Sequence, residues 1–152
     1  MKNIIIICFV FFLNSCGYSS IYKNQKSQDL QINVIEMTGD NEFNNLLKNE
    51  LKLYSNKNSN KQYDISLNSK YDKIIVSKDS SGVATDYKIS VNTIININLN
   101  NKIHDLNFKE STNIKNNSNS FEQEKYEKNI KKNFASLIRE KLAIKIFNLN
   151  DN

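Results

Sequence analysis

Few residues in this chain could carry out chemistry, and they do not form a catalytic set. The cysteines are Cys8 and Cys16, and the only histidine, His104, lies on the apolar side of a predicted strand. The chain lacks a glycine-rich phosphate loop and a Ser/His/Asp signature. No spacing implies a shared carboxylate site among the aspartates near predicted strand ends, which are Asp64, Asp72, Asp79 and Asp86. We therefore expect no enzyme activity, no metal and no bound cofactor.

The N-terminus has the layout of a secretory signal. It begins with Met1-Lys2-Asn3, continues with an uninterrupted apolar run over residues 4–13, and ends in small or polar residues. The run is shorter than the ~20 residues that span a bilayer, so a signal peptide fits better than a transmembrane helix. A buried core strand is the alternative, and it is disfavoured because the run is unbroken and lies at the very terminus.

The signal ends in a motif that predicts a covalent lipid. The sequence Leu13-Asn14-Ser15-Cys16 resembles the bacterial lipobox, in which a peptidase cuts before a cysteine that carries diacylglycerol and an N-acyl chain. Two or more acyl chains anchor a protein stably, whereas one chain does so only marginally. Gly17 follows, and a residue other than aspartate there is typical of an outer-membrane address. We therefore predict a lipid on Cys16 at the periplasmic face of the outer membrane.

The two cysteines agree with this prediction. Cleavage removes Cys8 with the signal and acylation occupies Cys16, so no thiol is left for a disulfide, a metal or catalysis. The alternative is a disulfide between Cys8 and Cys16 in an uncleaved chain. The lipid is the only added group that we expect.

Lysine dominates the positive charge. The chain has 21 Lys and Arg against 16 Asp and Glu, a formal net charge of +5, and Arg139 is its only arginine. An ammonium group binds phosphate as a point charge. The candidates for phosphate contact gather near one end of the predicted sheet and are Lys70, Lys73, Lys78 and Lys88. A solvated lysine-rich face is the alternative. Nucleic acid is not an expected partner, because the lysines are spread along the chain and the signal exports it.

The stretch over residues 82–99 organises the fold. From Tyr87 to Leu99 every second residue is apolar except Thr93, and the residues between them are mostly polar. Successive side chains of a strand point to opposite faces, so this pattern predicts a long strand with one buried face. A sheet with one polar face favours antiparallel pairing and needs a cover on its apolar side.

Three further strands are predicted, over residues 30–35, 62–77 and 102–113. We expect an irregularity in the second of them at Ser69-Lys70. Met37-Thr38-Gly39 is predicted to turn the chain, residues 78–82 to form a hairpin, and Asn100-Asn101 to form a type I′ turn.

Two helices are predicted as the cover. The first begins at the N-cap Asp40 and carries an apolar stripe over residues 43–54. The second begins at a capping box over residues 120–123, with Ser120 as the N-cap. Glu127 and Lys131 are expected to pair on its outer side. Its apolar stripe comprises Tyr126, Ile130, Phe134, Leu137, Ile138, Leu142 and Ile146.

These elements predict an α+β fold. Two helices pack on one face of a four-stranded, mostly antiparallel sheet, in the order β-α-β-β-β-α. We assign residues 1–15 to the signal peptide, 16–29 to a lipid-anchored tether, and 30–149 to a single domain.

Three parts of the sequence resemble the LPS-assembly lipoprotein LptE family. Residues 16–22, Cys-Gly-Tyr-Ser-Ser-Ile-Tyr, are similar to its Cys-Gly-Phe/Tyr-x-Pro-Leu-Tyr opening, although Ser20 stands where the family often has proline. Residues 82–89 resemble the Gly-x-Ala-x-x-Tyr-x-Leu entry to the family's long strand. The closing helix is similar to the family's C-terminal helix through Ala135, Leu137, Ile138 and Leu142.

The resemblance implies a function in envelope assembly. An LptE-like protein is a lipoprotein that plugs the outer-membrane β-barrel LptD from the periplasmic side, helps to assemble it, and assists delivery of lipopolysaccharide to the cell surface. The lysines named above could then meet lipid A phosphates, and the polar strand face suits a barrel lumen. Two alternatives are a different adaptor lipoprotein of envelope or secretion machinery and a periplasmic carrier of lipid or small ligands. A carrier needs an apolar cavity, whereas an adaptor has a filled core.

Overall fold

The computed structural model describes residues 30–55, 59, 61–99 and 102–150, and the predictions for the signal peptide, Cys16 and the tether lie outside these residues. The predicted order β-α-β-β-β-α is confirmed within them. The elements are β1 (Leu30–Gly39), α1 (Asn41–Leu51), a 3-10 turn (Lys52–Tyr54), β2 (Lys61–Lys78), β3 (Ala84–Leu99), β4 (Lys102–Lys115) and α2 (Ser120–Asn150).

The strands form one mixed sheet in the order β1-β2-β3-β4. Strand β1 runs parallel to β2, while β2, β3 and β4 are antiparallel to their neighbours. A parallel pair requires a crossover connection, and α1 lies in it. The predicted α+β class, with a mostly antiparallel sheet, is therefore confirmed.

The core lies between the sheet and the two helices. The alternation of β3 is confirmed, since Ile89, Val91, Ile95 and Ile97 are all fully buried and Thr93 is buried with them. The helices contribute buried residues from one side of each, which are Phe43, Leu47 and Leu51 from α1 and Ile138, Leu142 and Ile146 from α2. Burying each large apolar side chain stabilises the fold by roughly 1.5–3 kcal/mol before entropy is counted.

The first strand is longer than predicted. Met37 and Thr38 do not turn the chain but continue β1 to Gly39. The register shifts between Val34 and Glu36, so Ile35 is an extra residue and its side chain is exposed. This bulge changes the phase of the alternation and places Met37 opposite Leu67, packed against the core.

The predicted irregularity at Ser69-Lys70 is wrong. Strand β2 pairs with β3 without interruption there, and Ser69 faces Thr93 on the buried side, with the two hydroxyl oxygens 2.9 Å apart. A serine at an inward position resembles a break in the sequence pattern, but its hydrogen bond keeps it in phase. The register shifts instead between Ile75 and Ser77, beside the hairpin.

The hairpin over residues 78–82 is confirmed. The carboxylate of Asp79 accepts hydrogen bonds from the backbone N–H groups of Ser81 and Val83, both at 2.9 Å, and Gly82 has φ = 86°. At the other end of β3, Leu99 pairs with Lys102. The type I′ turn predicted for Asn100-Asn101 lies outside the described residues.

Both helices begin with a side-chain cap, and the cap predicted for the second helix is wrong by one residue. Asp40 caps α1 as predicted, accepting a hydrogen bond from the Phe43 N–H at 2.7 Å. Helix α2 is capped by Asn119 rather than Ser120, because the Asn119 carboxamide oxygen accepts from the N–H groups of Phe121 and Glu122 at 3.1 and 3.2 Å.

The apolar stripe of α2 is narrower than predicted. Tyr126 and Leu137 are exposed, whereas Ala135 and Ala143 are buried. Successive residues of an α-helix are separated by about 100°, so Leu137 lies on the flank beside the buried Ile138.

Gly39 and Gly82 both have positive φ, so their alanine variants test whether the backbone approaches closely at Gly39. We expect Gly39→Ala to lower the free energy of unfolding by about 2 kcal/mol or more, because a Cβ at this φ of +83° would lie 2.1 Å from the Ser69 carbonyl oxygen. Gly82→Ala has a similar φ but open space around it, so about 1 kcal/mol is expected there. Urea denaturation of both variants measures the difference, and equal losses would contradict the close approach at Gly39.

Candidate functional site

The four lysines proposed for phosphate contact do not form one cluster. We call the sheet surface away from the helices the open face; it carries the residues of β3 that alternate with the buried ones, from Lys88 to Asn98. Lys70 lies on this face, is 76% exposed, and pairs with Asp72 at 3.2 Å. Lys88 also lies on the open face, whereas Lys73 is on the helix side.

Lys73 of β2 is held in place by groups from two other elements. Its Nζ lies 2.5 Å from the Glu127 carboxylate of α2 and 4.2 Å from the centre of the Tyr87 ring of β3. Gln123 also donates a hydrogen bond to Glu127 at 2.7 Å. Lys73 therefore joins α2 to the sheet and has little freedom to reach a ligand.

A second cation repeats this arrangement one turn along α2. Lys131 forms an ion pair with Glu42 of α1, and its Nζ lies 4.1 Å from the centre of the Tyr71 ring. The outer-side pairing predicted for Glu127 and Lys131 is therefore wrong, because both side chains reach across to other elements. We call Tyr71, Lys73, Tyr87, Glu127 and Lys131 the polar junction.

Burial and charge shift two pKa values in the polar junction. Burial, together with the nearby carboxylates of Glu127 and Glu42, raises the pKa of Tyr71 to about 12. Burial also opposes ionisation of Glu127, but hydrogen bonds from Lys73 and Gln123 outweigh it and hold its pKa below the ordinary value. The junction is thus built around a carboxylate that stays charged.

Beyond the polar junction, the end of the β2–β3 hairpin is both apolar and basic. We call residues 74–83 the hairpin tip. Ile74, Val76 and Val83 are each more than half exposed, and Lys78 pairs with Ala84 at its base. Sequence reasoning named the lysine but missed these apolar residues, although the run Ile74-Ile75-Val76 interrupts the alternation and signals exposure of at least one of them.

Towards the end of the sheet remote from the tip, the open face carries polar side chains that hydrogen-bond to one another. Ser66 donates to Asn96 at 3.0 Å, and Asn96 donates to Asp105 at 2.5 Å, which links β2, β3 and β4. Asn33 of β1 donates to Asp64 of β2 at 3.0 Å. These hydrogen bonds link all four strands across a face that is mostly polar, although Ile94 and Ile103 are also exposed on it.

Other groups considered as sites have structural surroundings. His104 is half-buried opposite Ile97, on the helix side of the sheet. Within residues 30–55, 59, 61–99 and 102–150, no three His, Cys, Asp or Glu side chains come together as a metal site. Neither described helix has the length and apolar composition needed to cross a bilayer. A groove of about 300 Å³ between β4 and α2, and a depression of about 580 Å³ around residues 113–118, are both open to solvent.

Comparison with solved structures identifies the architecture. Rare lipoprotein B from Shewanella oneidensis matches with a TM-score of 0.56 at 15% identity, covering 78% of this chain and 99% of that one. A lipoprotein from Caulobacter crescentus CB15 matches with a TM-score of 0.57 at 12% identity, covering 83% and 94%. Lipoprotein B from Nitrosomonas europaea matches with a TM-score of 0.50 at 13% identity, covering 78% and 87%. This chain shares their fold.

The likeness lies in structure rather than in sequence. No family model and no curated protein sequence matches the chain. The matched lipoproteins have the same fold as this domain. The fold does not identify a ligand or a partner, which are inferred from the surfaces described above.

The polar junction predicts a pH-dependent contribution to stability. We expect Glu127→Gln to lower the free energy of unfolding by about 1 kcal/mol at pH 7, because Lys73 loses its ion pair. The pKa of Glu127 is lower in the folded chain than its ordinary 4.5, so its contribution is complete above that value and is lost as pH falls through the folded pKa. The gap between the two proteins should therefore close in acid.

Urea denaturation of both proteins from pH 7 down to pH 3 measures this gap. Glu124→Gln, at an exposed position of the same helix, is the control and should change stability little. A gap that stays constant across the range would show that the Glu127 carboxylate is not the source.

Proposed function

We propose that this chain is an outer-membrane lipoprotein that fits into the lumen of an LptD-like β-barrel and helps to deliver lipopolysaccharide to the outer leaflet. In this proposal residues 1–15 are removed, Cys16 carries the lipid, residues 16–29 tether it, and residues 30–149 form the plug domain. The role needs no catalytic step, no cofactor beyond the lipid and no nucleic acid.

The observation that carries the proposal is the sheet with one covered face and one polar face. The interior of a large outer-membrane barrel is polar, and a plug must present polar groups to it. Here the linked side chains of Ser66, Asn96 and Asp105 supply such a surface while the helices cover the opposite face. The lipobox and the LptE-like segments support the same role, as does the fold shared with three lipoproteins.

The hairpin tip is the part of the domain best suited to lipopolysaccharide. Lipid A combines phosphate groups with acyl chains, and the tip combines Lys78 with the exposed Ile74, Val76 and Val83. Lys88 lies next to Ile74 across the β2–β3 ladder. We propose that Lys70, Lys78 and Lys88 contact phosphates, while Lys73 supports the strand from the other face.

Affinity purification tests the plug. An affinity-tagged chain purified from detergent-solubilised outer membranes should bring down a large β-barrel protein in a stable complex, identified by mass spectrometry. Cys16→Ala should abolish labelling by radioactive palmitate and reduce the membrane-bound fraction, since the acyl chains are the anchor. A lipidated chain that yields no barrel would favour a different adaptor role, and an unlabelled Cys16 in the native chain would reject the anchor.

Charge reversal tests the tip. Lys70→Glu, Lys78→Glu and Lys88→Glu combined should weaken binding of purified lipopolysaccharide by about tenfold, because attractive contacts with phosphate become repulsive. The control reverses the exposed Lys125, Lys128 and Lys132 of α2, which changes the net charge equally.

Binding is measured by displacement of a fluorescent lipopolysaccharide, with unfolding curves to confirm that each variant folds. Equal binding by the wild type and the tip variant, or an equal loss in the α2 control, would remove the tip lysines as specific contacts.

A further inference from the structure

The two edge strands of the sheet differ in how far their outer backbone groups are covered. Strand β1 forms one edge, and an isolated bridge between Gln31 and Ser55 covers its beginning. Strand β4 (Lys102–Lys115) forms the other edge and, among the residues that the structure describes, pairs only with β3. An unpaired edge presents a row of N–H and C=O groups that can hydrogen-bond to an added strand. The longer edge is therefore the one left open.

A groove runs beside this open edge. Phe108 faces the helix side, while its neighbours Asn107 and Lys109 alternate to the open face, so the groove follows the outer edge of β4 itself. Helix α2 forms the opposite wall and runs antiparallel to β4, since Lys141 pairs with Glu110 and the residues that follow lie beside Phe108. We call this the edge groove; its lining residues are Asn107, Phe108, Lys109, Lys141, Ile144 and Lys145.

The edge groove is apolar inside and basic around its rim. Its lining surface is mostly apolar, with Ile144 43% exposed. Three lysines line it, and the one neighbouring glutamate, Glu110, is already paired with Lys141. No ion pair holds Lys145 within the part of the chain that the structure describes. The rim therefore has positive charge left to meet a carboxylate.

We propose that β4 and the edge groove bind an extended segment of a partner protein in which apolar and acidic residues alternate. Such a segment would add a fifth strand to the sheet through main-chain hydrogen bonds. One apolar side chain would enter the groove against Phe108 and Ile144. The acidic residue beside it would point to the open face and meet Lys109, for which the described residues also provide no ion pair.

Charge argues against two other occupants of this edge. A second copy of the chain, paired antiparallel about the middle of β4, would place Lys102 opposite the copy's Lys115, and like charges directly opposite are destabilising. The segment over residues 16–29 carries Lys23 and Lys26 against a single Asp29. A basic segment does not complement a basic rim. An acidic partner does.

Synthetic peptides test this edge without the barrel or lipopolysaccharide, so the result is independent of the proposed function. The full-length chain, purified in detergent, is titrated with a fluorescent nonapeptide that alternates valine and glutamate. We expect saturable binding, with slower amide hydrogen exchange along β4. The same peptide methylated at every second amide nitrogen should bind at least about tenfold more weakly, because the methylated nitrogens can no longer donate main-chain hydrogen bonds to β4.

Charge exchange locates the site. Lys109→Glu should weaken binding of the valine–glutamate peptide by about fivefold and strengthen binding of a valine–lysine peptide. Lys132→Glu, an exposed change on α2, should alter neither.

Three results would overturn the proposal: no binding of the valine–glutamate peptide, equal binding of its methylated form, or equal effects of the two charge reversals. Unfolding curves of both variants ensure that a loss of binding is not a loss of fold.

Discussion

The structure depends on burying one face of β3. That strand lies inside the sheet, and its inward side chains are sealed only when both helices lie over them. Helix α1 is set by a close backbone approach, in which the Asp40 N–H donates to the Ser69 carbonyl at 2.7 Å beside Gly39. Helix α2 then packs on α1 and the sheet, with Arg139 paired to Glu50 of α1 at 2.7 Å. The position of α1 thus determines where the longer helix can lie.

The strands extend further than the burial that the helices provide. On the helix side, Ile89 is fully buried, Tyr87 is only partly buried, and Ile75, which pairs with Tyr87, is exposed. The polar junction lies where this change occurs. Lysines stacked on tyrosine rings suit such a boundary, because the ring is packed on one side and the ammonium group keeps a carboxylate partner. The junction therefore closes the core at the point where the sheet continues without a cover.

The fold could be predicted because its main signals are periodic. The alternation in β3, the Asp40 cap and the hairpin at Asp79 each follow from local sequence and survive in the structure. Two of the errors have one cause in common, which is that a polar residue has a partner distant in sequence. Ser69 interrupts the apolar pattern of the sequence, but it is hydrogen-bonded to Thr93 on the buried side of the sheet. Glu127 is predicted on the outer side of α2, but it accepts a hydrogen bond from Lys73 of the sheet.

The candidate site could also be predicted only in part. Spacing along β2 placed its lysines near one another, but a period of two also sends Lys70 and Lys73 to opposite faces. The run Ile74-Ile75-Val76 requires at least one of its side chains to face outward, but it does not show that all three are exposed. Ile74 lies on the open face beside Lys88. The exposure of Ile75 on the helix side is decided by where the helices end, which depends on the packing of the whole domain.

The outward surfaces differ in chemistry because each has a different relation to the helices. The open face is remote from the helices, and its polar side chains, such as Asn96, hydrogen-bond to one another. The hairpin tip lies beyond the helices and leaves apolar groups beside lysines. The outer edge of β4 lies alongside α2, so main-chain groups, an apolar groove and the lysines of its rim occur together. A small domain with one core can therefore present three separate surfaces that differ in chemistry.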